Sequence, residues 1–158
     1  MPPWAFQGDS WNRNKGNSRN MSLEYPNNYL YNTHHVWAKL EQKKNKKQTQ
    51  PQTFAYVGIT DYLAEELGGI DSIDIPLEED ELEMDSLVIH IHTKSRIRHF
   101  PCPLTGRVVE VNQEVLDSPA QIYLDWENAW LFKMEVDNTS ETDLLMDGKQ
   151  YVKYLDSL

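Results

Sequence analysis

The sequence predicts a mainly β protein, a small β-sandwich or flattened barrel carrying two helices. Two observations support this. Short runs rich in β-branched, aromatic and alternating apolar residues recur at regular spacing between Tyr29 and Val136. Helix signatures occur only twice, after Thr60 and close to the C-terminus. No internal repeat of the solenoid type is present.

The elements follow in chain order. Residues 1–27 are rich in Asn, Ser and Gly and read as a disordered polar tail, which leaves 28–158 as one domain. Segments 29–31 and 35–40 read as strands. Residues 41–53 hold Lys43, Lys44, Lys46 and Lys47 in a Gln-rich stretch with Pro51, and are expected as a mobile basic loop. A strand is expected over 54–59. Thr60 is placed to cap a helix over 61–67, because its hydroxyl can satisfy a free backbone N–H. Gly68-Gly69 ends that helix, since glycine tolerates the left-handed cap. Segments 70–75 and 87–92 read as strands, and in the second Ile89 and Ile91 point one way and His90 and His92 the other. A polar turn over 93–96 leads into a partner strand over 97–100. Pro103-Leu104-Thr105-Gly106 is a further turn, followed by strands over 108–111 and 131–136. The last element reads as one helix. Ser140 and Asp143 stand at capping-box spacing, and Leu144, Leu145, Tyr151 and Leu155 form its apolar side. Gly148 weakens its middle.

The chain has 158 residues, 39% of them apolar, and a net charge of −10. That length suits a single domain. The charge argues against broad nucleic-acid binding, which depends on neutralising phosphates. Eight acids fall between Asp71 and Asp85 and read as a solvated face. No apolar stretch is long enough to span a bilayer. Residues 1–20 lack an apolar run, so no secretory signal is expected. Arg13, Lys15 and Arg19 give that stretch a transit-peptide-like bias without an apolar face, and Met21 is an alternative start. Cys102 is the only cysteine, so an internal disulfide is excluded and a reducing compartment is expected. It reads as a small buried thiol.

The candidate chemistry concentrates in His90-Ile91-His92-Thr93-Lys94-Ser95-Arg96-Ile97-Arg98-His99. In an acidic chain this hairpin is a cationic tip. His92, Arg96 and Arg98 are candidates for contact with an anionic partner or ligand. His90, His92 and His99 are candidate metal ligands, but a zinc site needs three or four ligands and Cys102 is the only thiol. No glycine-rich phosphate loop, nucleophile elbow or paired-histidine metalloprotease run is found. Trp126, Trp130 and Phe132 read as core or rim residues.

Several pieces, in order, carry a family resemblance. They are His35-Val36-Trp37; Val57-Gly58-Ile59-Thr60 and then Leu67-Gly68; Ile73-Asp74-Ile75-Pro76; and Pro103-Leu104-Thr105-Gly106 with Val108, Val111 and Asn112. Asp117-Ser118-Pro119, Ala129-Trp130-Leu131, and Leu144-Leu145 with Tyr151 complete the set. From 29 to 158 the chain resembles the H protein of the glycine cleavage system. The resemblance implies a lipoyl-domain-like fold, a barrel-sandwich hybrid with a short helix after Thr60 and a C-terminal helix. It also implies a carrier protein of glycine catabolism.

The resemblance implies a departure at the carrier position. Counted from Pro76 or from Pro103, the family's lipoyl lysine falls on Ser95. The family's glutamate three residues earlier falls on His92, and the two small residues after the lysine fall on Arg96 and Ile97. A serine hydroxyl cannot form the lipoyl amide. Lys94 is one residue away and would serve only if the hairpin had shifted register.

Three functional expectations follow. The first is an H-protein-like, non-catalytic protein with a degenerate lipoylation site. It carries no cofactor and binds a protein partner through His92, Arg96 and Arg98. The second is a working aminomethyl carrier lipoylated on Lys94. The resemblance then implies exchange with a pyridoxal-phosphate decarboxylase, a folate-dependent aminomethyltransferase and a dihydrolipoyl dehydrogenase. The third is a metal- or anion-binding module built on the His/Arg hairpin. A stand-alone enzyme, a nucleic-acid partner and a membrane partner are not expected. The expected location is the cytoplasm, or the mitochondrial matrix in a eukaryote.

Overall fold

The computed structural model describes residues 25–44 and 50–158. Among the described residues nine strands form two sheets, in which every pair of neighbours is antiparallel. They are β1 (Tyr29–Tyr31), β2 (Val36–Lys43), β3 (Gln52–Ile59), β4 (Ser72–Asp74), β5 (Glu81–Leu82), β6 (Leu87–His92), β7 (Ile97–Pro101), β8 (Gly106–Val111) and β9 (Phe132–Val136). The larger sheet has the order β1-β2-β3-β9-β8-β5, and the smaller is β4-β6-β7. The helices are α1 (Asp61–Leu67), α2 (Gln113–Asp117), α3 (Gln121–Asp125) and α4 (Gly148–Asp156). No helix among the described residues is long and apolar enough to cross a membrane.

The larger sheet is covered on both faces. Val36, Ala38, Ala55, Val57 and Ile59 share a core with Ile73, Ile89, Ile91 and Phe100 of the smaller sheet. Tyr29, Tyr31 and Trp37 pack with Tyr25, Tyr151 and Leu155 in a second, aromatic cluster. Burial on both sides explains why Val36, Trp37 and Ala38 are buried in succession instead of alternating. Trp37 sits opposite Gly58, and a Cβ there would lie 2.5 Å from the indole. The indole N–H donates to the Ile59 carbonyl at 3.0 Å.

Local signals set most element ends. Thr60 caps α1, accepting from the Leu63 amide, and Gly68 closes it at φ 75°. Thr60 also belongs to a polar network. Its Oγ1 lies 2.9 Å from the Tyr151 hydroxyl, which lies 2.8 Å from Nδ1 of His35. His35 itself sits at φ 71°, with its ring 4.6 Å from that of Tyr62. Burial pushes the His35 imidazole below its ordinary value. Cys102 is buried, and burial pushes its thiol up to about 12.

Three expectations need correction. The polar tail does not extend through residue 27. Tyr25 is 3% exposed and meets Tyr151 edge-on at 4.9 Å, and the Asn27 side chain accepts from the Lys149 amide at 3.0 Å. An aromatic isolated among Asn and Ser gives no periodic signal, so its packing partners were invisible. Residues 1–24 lie outside the described residues.

The expected loop over 41–53 is also shorter. Glu41, Gln42 and Lys43 pair with Phe54, Thr53 and Gln52. Ladder hydrogen bonds need no apolar side chains, so polar residues can extend a hairpin. Residues 45–49 of this stretch, with Lys46 and Lys47, lie outside the described residues.

The expected C-terminal helix is two elements. Thr139–Leu144 forms a 3-10 segment capped by Asn138, and Asp147 and Gln150 form the capping box of α4. Between them Met146 bridges to Tyr31. Gly148 therefore begins α4 instead of interrupting a helix. The short elements β5, α2 and α3 were not expected, because two to five residues show no measurable period.

Two predictions follow. A Cβ on Gly148 would lie 1.9 Å from the Tyr25 carbonyl oxygen. Gly148→Ala should therefore destabilise the fold by about 1–3 kcal/mol in urea unfolding. A mid-helix glycine would instead gain about 1 kcal/mol on that change. His35 gives a pH dependence. Its folded-state value is depressed, so the unfolded chain binds the extra proton. The stability it contributes is complete above about pH 6.5 and is lost as pH falls from there toward the folded value. His35→Asn, which tolerates a positive φ, should flatten the change in urea midpoint across that window. An unchanged slope would assign the pH dependence to other groups.

Candidate functional site

The candidate site is the β6–β7 hairpin. Ile89 and Ile91 are fully buried and Phe100 is 4% exposed, so the alternation of the strands turns His90, His92 and His99 outward. The register pairs His92 with Ile97, Ile91 with Arg98 and His90 with His99. Its one irregularity lies between Leu87 and Ile89, at the end away from the turn.

The turn is closed by Thr93. Its amide donates to the Arg96 carbonyl at 2.9 Å, and its hydroxyl donates to the same oxygen at 3.0 Å. The Arg96 amide donates back to the Thr93 hydroxyl at 3.3 Å. Lys94 and Ser95 are the two central residues of this turn, and both are exposed. A primary ammonium and a hydroxyl therefore stand side by side at the tip. Each points to solvent, with no ion pair or side-chain hydrogen bond among the described residues.

The other candidates divide. His92 is engaged: its Nε2 lies 2.8 Å from Asp74 Oδ2 on β4. Asp74, which no sequence motif singled out as a candidate, borders the hairpin through this contact. Its signal was an acid standing two residues from Ser72, on the solvent face of a short strand. His90 and His99 face each other directly, Nδ1 to Nδ1 at 2.7 Å, with ring centroids 4.9 Å apart. The two ring nitrogens stand at hydrogen-bond distance, and the tautomers decide which of them donates. Arg96 is exposed beside the tip. Arg98 is half-buried, opposite the buried Ile91, with its guanidinium 5.4 Å from the Phe100 ring centroid. Of the proposed partner contacts, Arg96 is the one presented outright.

The three histidines weighed as metal ligands, His90, His92 and His99, are not gathered into one cluster. Among the described residues no group of three His, Cys, Asp or Glu side chains is arranged to hold a metal ion. His90 and His99 close on each other, while His92 turns to Asp74. The acids between Asp71 and Asp85 are all exposed, as a solvated face requires.

Comparison with known proteins agrees with the architecture. The glycine cleavage H-protein family model matches residues 29–158. The chain is 32% identical to the glycine cleavage system H protein of Brevibacillus brevis over 130 residues, 82% of this chain and 95% of that one. It is 34% identical to the H protein of Bacteroides fragilis with the same coverage. The crystal structure of a glycine cleavage system H protein from Mycobacterium marinum superposes with a TM-score of 0.66 at 23% identity. That match covers 84% of this chain and 99% of the other, and establishes a shared fold. The chain therefore belongs to the glycine cleavage H-protein family, a family of lipoyl carriers and not of enzymes.

Proposed function

We propose that this chain is an H-protein-like, partner-binding protein that works without a lipoyl arm. The observation that carries this reading is the tip of the hairpin. Its closing bonds, from Thr93 to Arg96, leave Ser95 and not a lysine as the second central residue. Aligned through Pro76 and Pro103, the family's carrier lysine falls on that residue. A hydroxyl there cannot form the amide. Neighbouring central residues of a turn leave it in different directions. A ligase must bring one amine onto an activated acyl group, and an error near 1 Å can cost about 100-fold. The exposed Lys94 and Arg96 remain as cations for an anionic surface on a partner. The family's partner enzymes of glycine cleavage are the first partners to test.

A second reading rests on Lys94. It is exposed on the same turn, one residue from the aligned position, and its amine is open to solvent. Lipoylated there, the chain would carry aminomethyl groups as its relatives' family does.

The experiment is co-expression with a lipoate ligase and lipoate, read by intact mass and by peptide mapping of residues 93–95. The expected result is an unmodified chain beside a fully modified control H protein. A lipoyl group on Lys94 would overturn the arm-less reading and establish the carrier one. Charge reversal by Arg96→Glu should weaken binding to the partner enzyme by roughly two- to fivefold, an effect that shrinks as salt is raised. Unchanged affinity would remove Arg96 from the docking surface.

A further inference from the structure

A groove of about 360 Å³ lies on the outer face of the larger sheet, away from the β6–β7 hairpin. Its walls come from β2, β3, β8 and the segment after α3. Three rings contribute to it. Trp37 is buried beneath it, and Tyr56 and Trp130 form a corner with centroids 5.1 Å apart and planes at 70°. Glu110 and Glu127 supply carboxylates at the same groove.

The pairing register explains how charge is laid out on this face. One cross-strand row runs Tyr29, Lys39, Tyr56, Lys133 and Glu110, two rings each followed by a lysine and then a carboxylate at the end. The cations in and beside this row are already engaged. Lys39 lines the groove, with its ammonium 5.5 Å from the Tyr29 ring centroid. The Lys133 ammonium lies 3.1 Å from Glu41 and 5.0 Å from the ring centroids of both Phe54 and Tyr56. Arg107 pairs with Glu79 and Glu135. The carboxylates of Glu110 and Glu127 have no hydrogen bond or ion pair among the described residues. Burial, with Asp125 nearby, raises the Glu127 carboxyl above its usual range, and Lys39 opposes that shift. A cation entering here would replace lost hydration with two carboxylates and the negative faces of the rings. The apolar ring edges would hold a hydrocarbon stem.

We propose that this groove is a binding site for an alkylammonium group, an amine carried on a flexible apolar stem. Trp130 and Tyr56 hold the stem, and Glu127 and Glu110 hold the charge. The site shares no residue with the hairpin tip and does not depend on whether the chain carries a lipoyl arm.

The test is a titration of the full chain with n-butylammonium, followed by chemical shifts of the tryptophan indole N–H groups and the backbone amides. The neutral control is 1-butanol. The expected result is a saturable response centred on Tyr56, Glu127 and Trp130, with butanol binding at least tenfold more weakly. Glu127→Gln and Glu110→Gln are substitutions at the groove's rim, and each should weaken amine binding at least threefold while leaving the hairpin resonances in place. Nα-acetyl-lysine amide, whose side-chain ammonium is free, would by binding more tightly than butylammonium assign the amine to a protein side chain, and equal or weaker binding would assign it to a free amine. No saturation, equal binding of butanol, or a response centred elsewhere would overturn the proposal.

Discussion

The seating of Ile89, Ile91 and Phe100 under the smaller sheet is the constraint on which the functional account rests. Side chains on a strand alternate with a period of two, so a slip of one residue would carry both isoleucines to solvent and bring His90 and His92 inside. Exposing two fully buried isoleucines costs about 3–6 kcal/mol before any burial of imidazole is counted. The hairpin therefore has one register, and that register decides which residues reach the tip. Lys94 and Ser95 arrive there together, and the choice between them is a matter of direction within one turn.

The same sandwich also places the rest of the molecule. Because β2 and β3 are buried on both faces, the outer face of the larger sheet is a second packing surface. Trp37 lies over Gly58 there, and the rings of Tyr25, Tyr31 and Tyr151 pack beside it under α4. Tyr31 and Tyr151 stack with centroids 4.5 Å apart and planes at 4°. Tyr151 then reaches His35 and Thr60, so the cap of α1 and the turn before β2 are tied to the C-terminal helix. Where this aromatic layer ends, toward β3 and β8, the sheet opens into the groove that holds Glu110 and Glu127.

Much of this was legible in the sequence, for identifiable reasons. Thr60 and Gly68 bound α1 because capping is a local property of hydroxyl and glycine chemistry. The split of β6 into isoleucine and histidine faces followed from alternation alone. What was hidden depends on contacts far apart in the chain. Tyr25 finds its place through Tyr151, more than a hundred residues away. Gly148 reads as a flaw in a helix until the Tyr25 carbonyl is seen against it. The Asp74–His92 contact joins two strands whose pairing no local pattern announces. The half-burial of Arg98 follows from its place opposite Ile91, although its charge alone suggested a solvent-facing contact.

The family's carrier chemistry and this chain's tip meet at a single question of register, and nuclear Overhauser effects across the β6–β7 hairpin address it most directly. In an antiparallel pair the sites without mutual hydrogen bonds bring their α-protons closest. With Thr93 and Arg96 closing the turn, those sites are His92 opposite Ile97 and His90 opposite His99. The account predicts strong α-proton contacts between the members of each of these two pairs, with Lys94 and Ser95 sharing the tip. A pattern displaced by one residue, pairing His92 with Arg96 or with Arg98, would contradict it and would place a different residue at the carrier position.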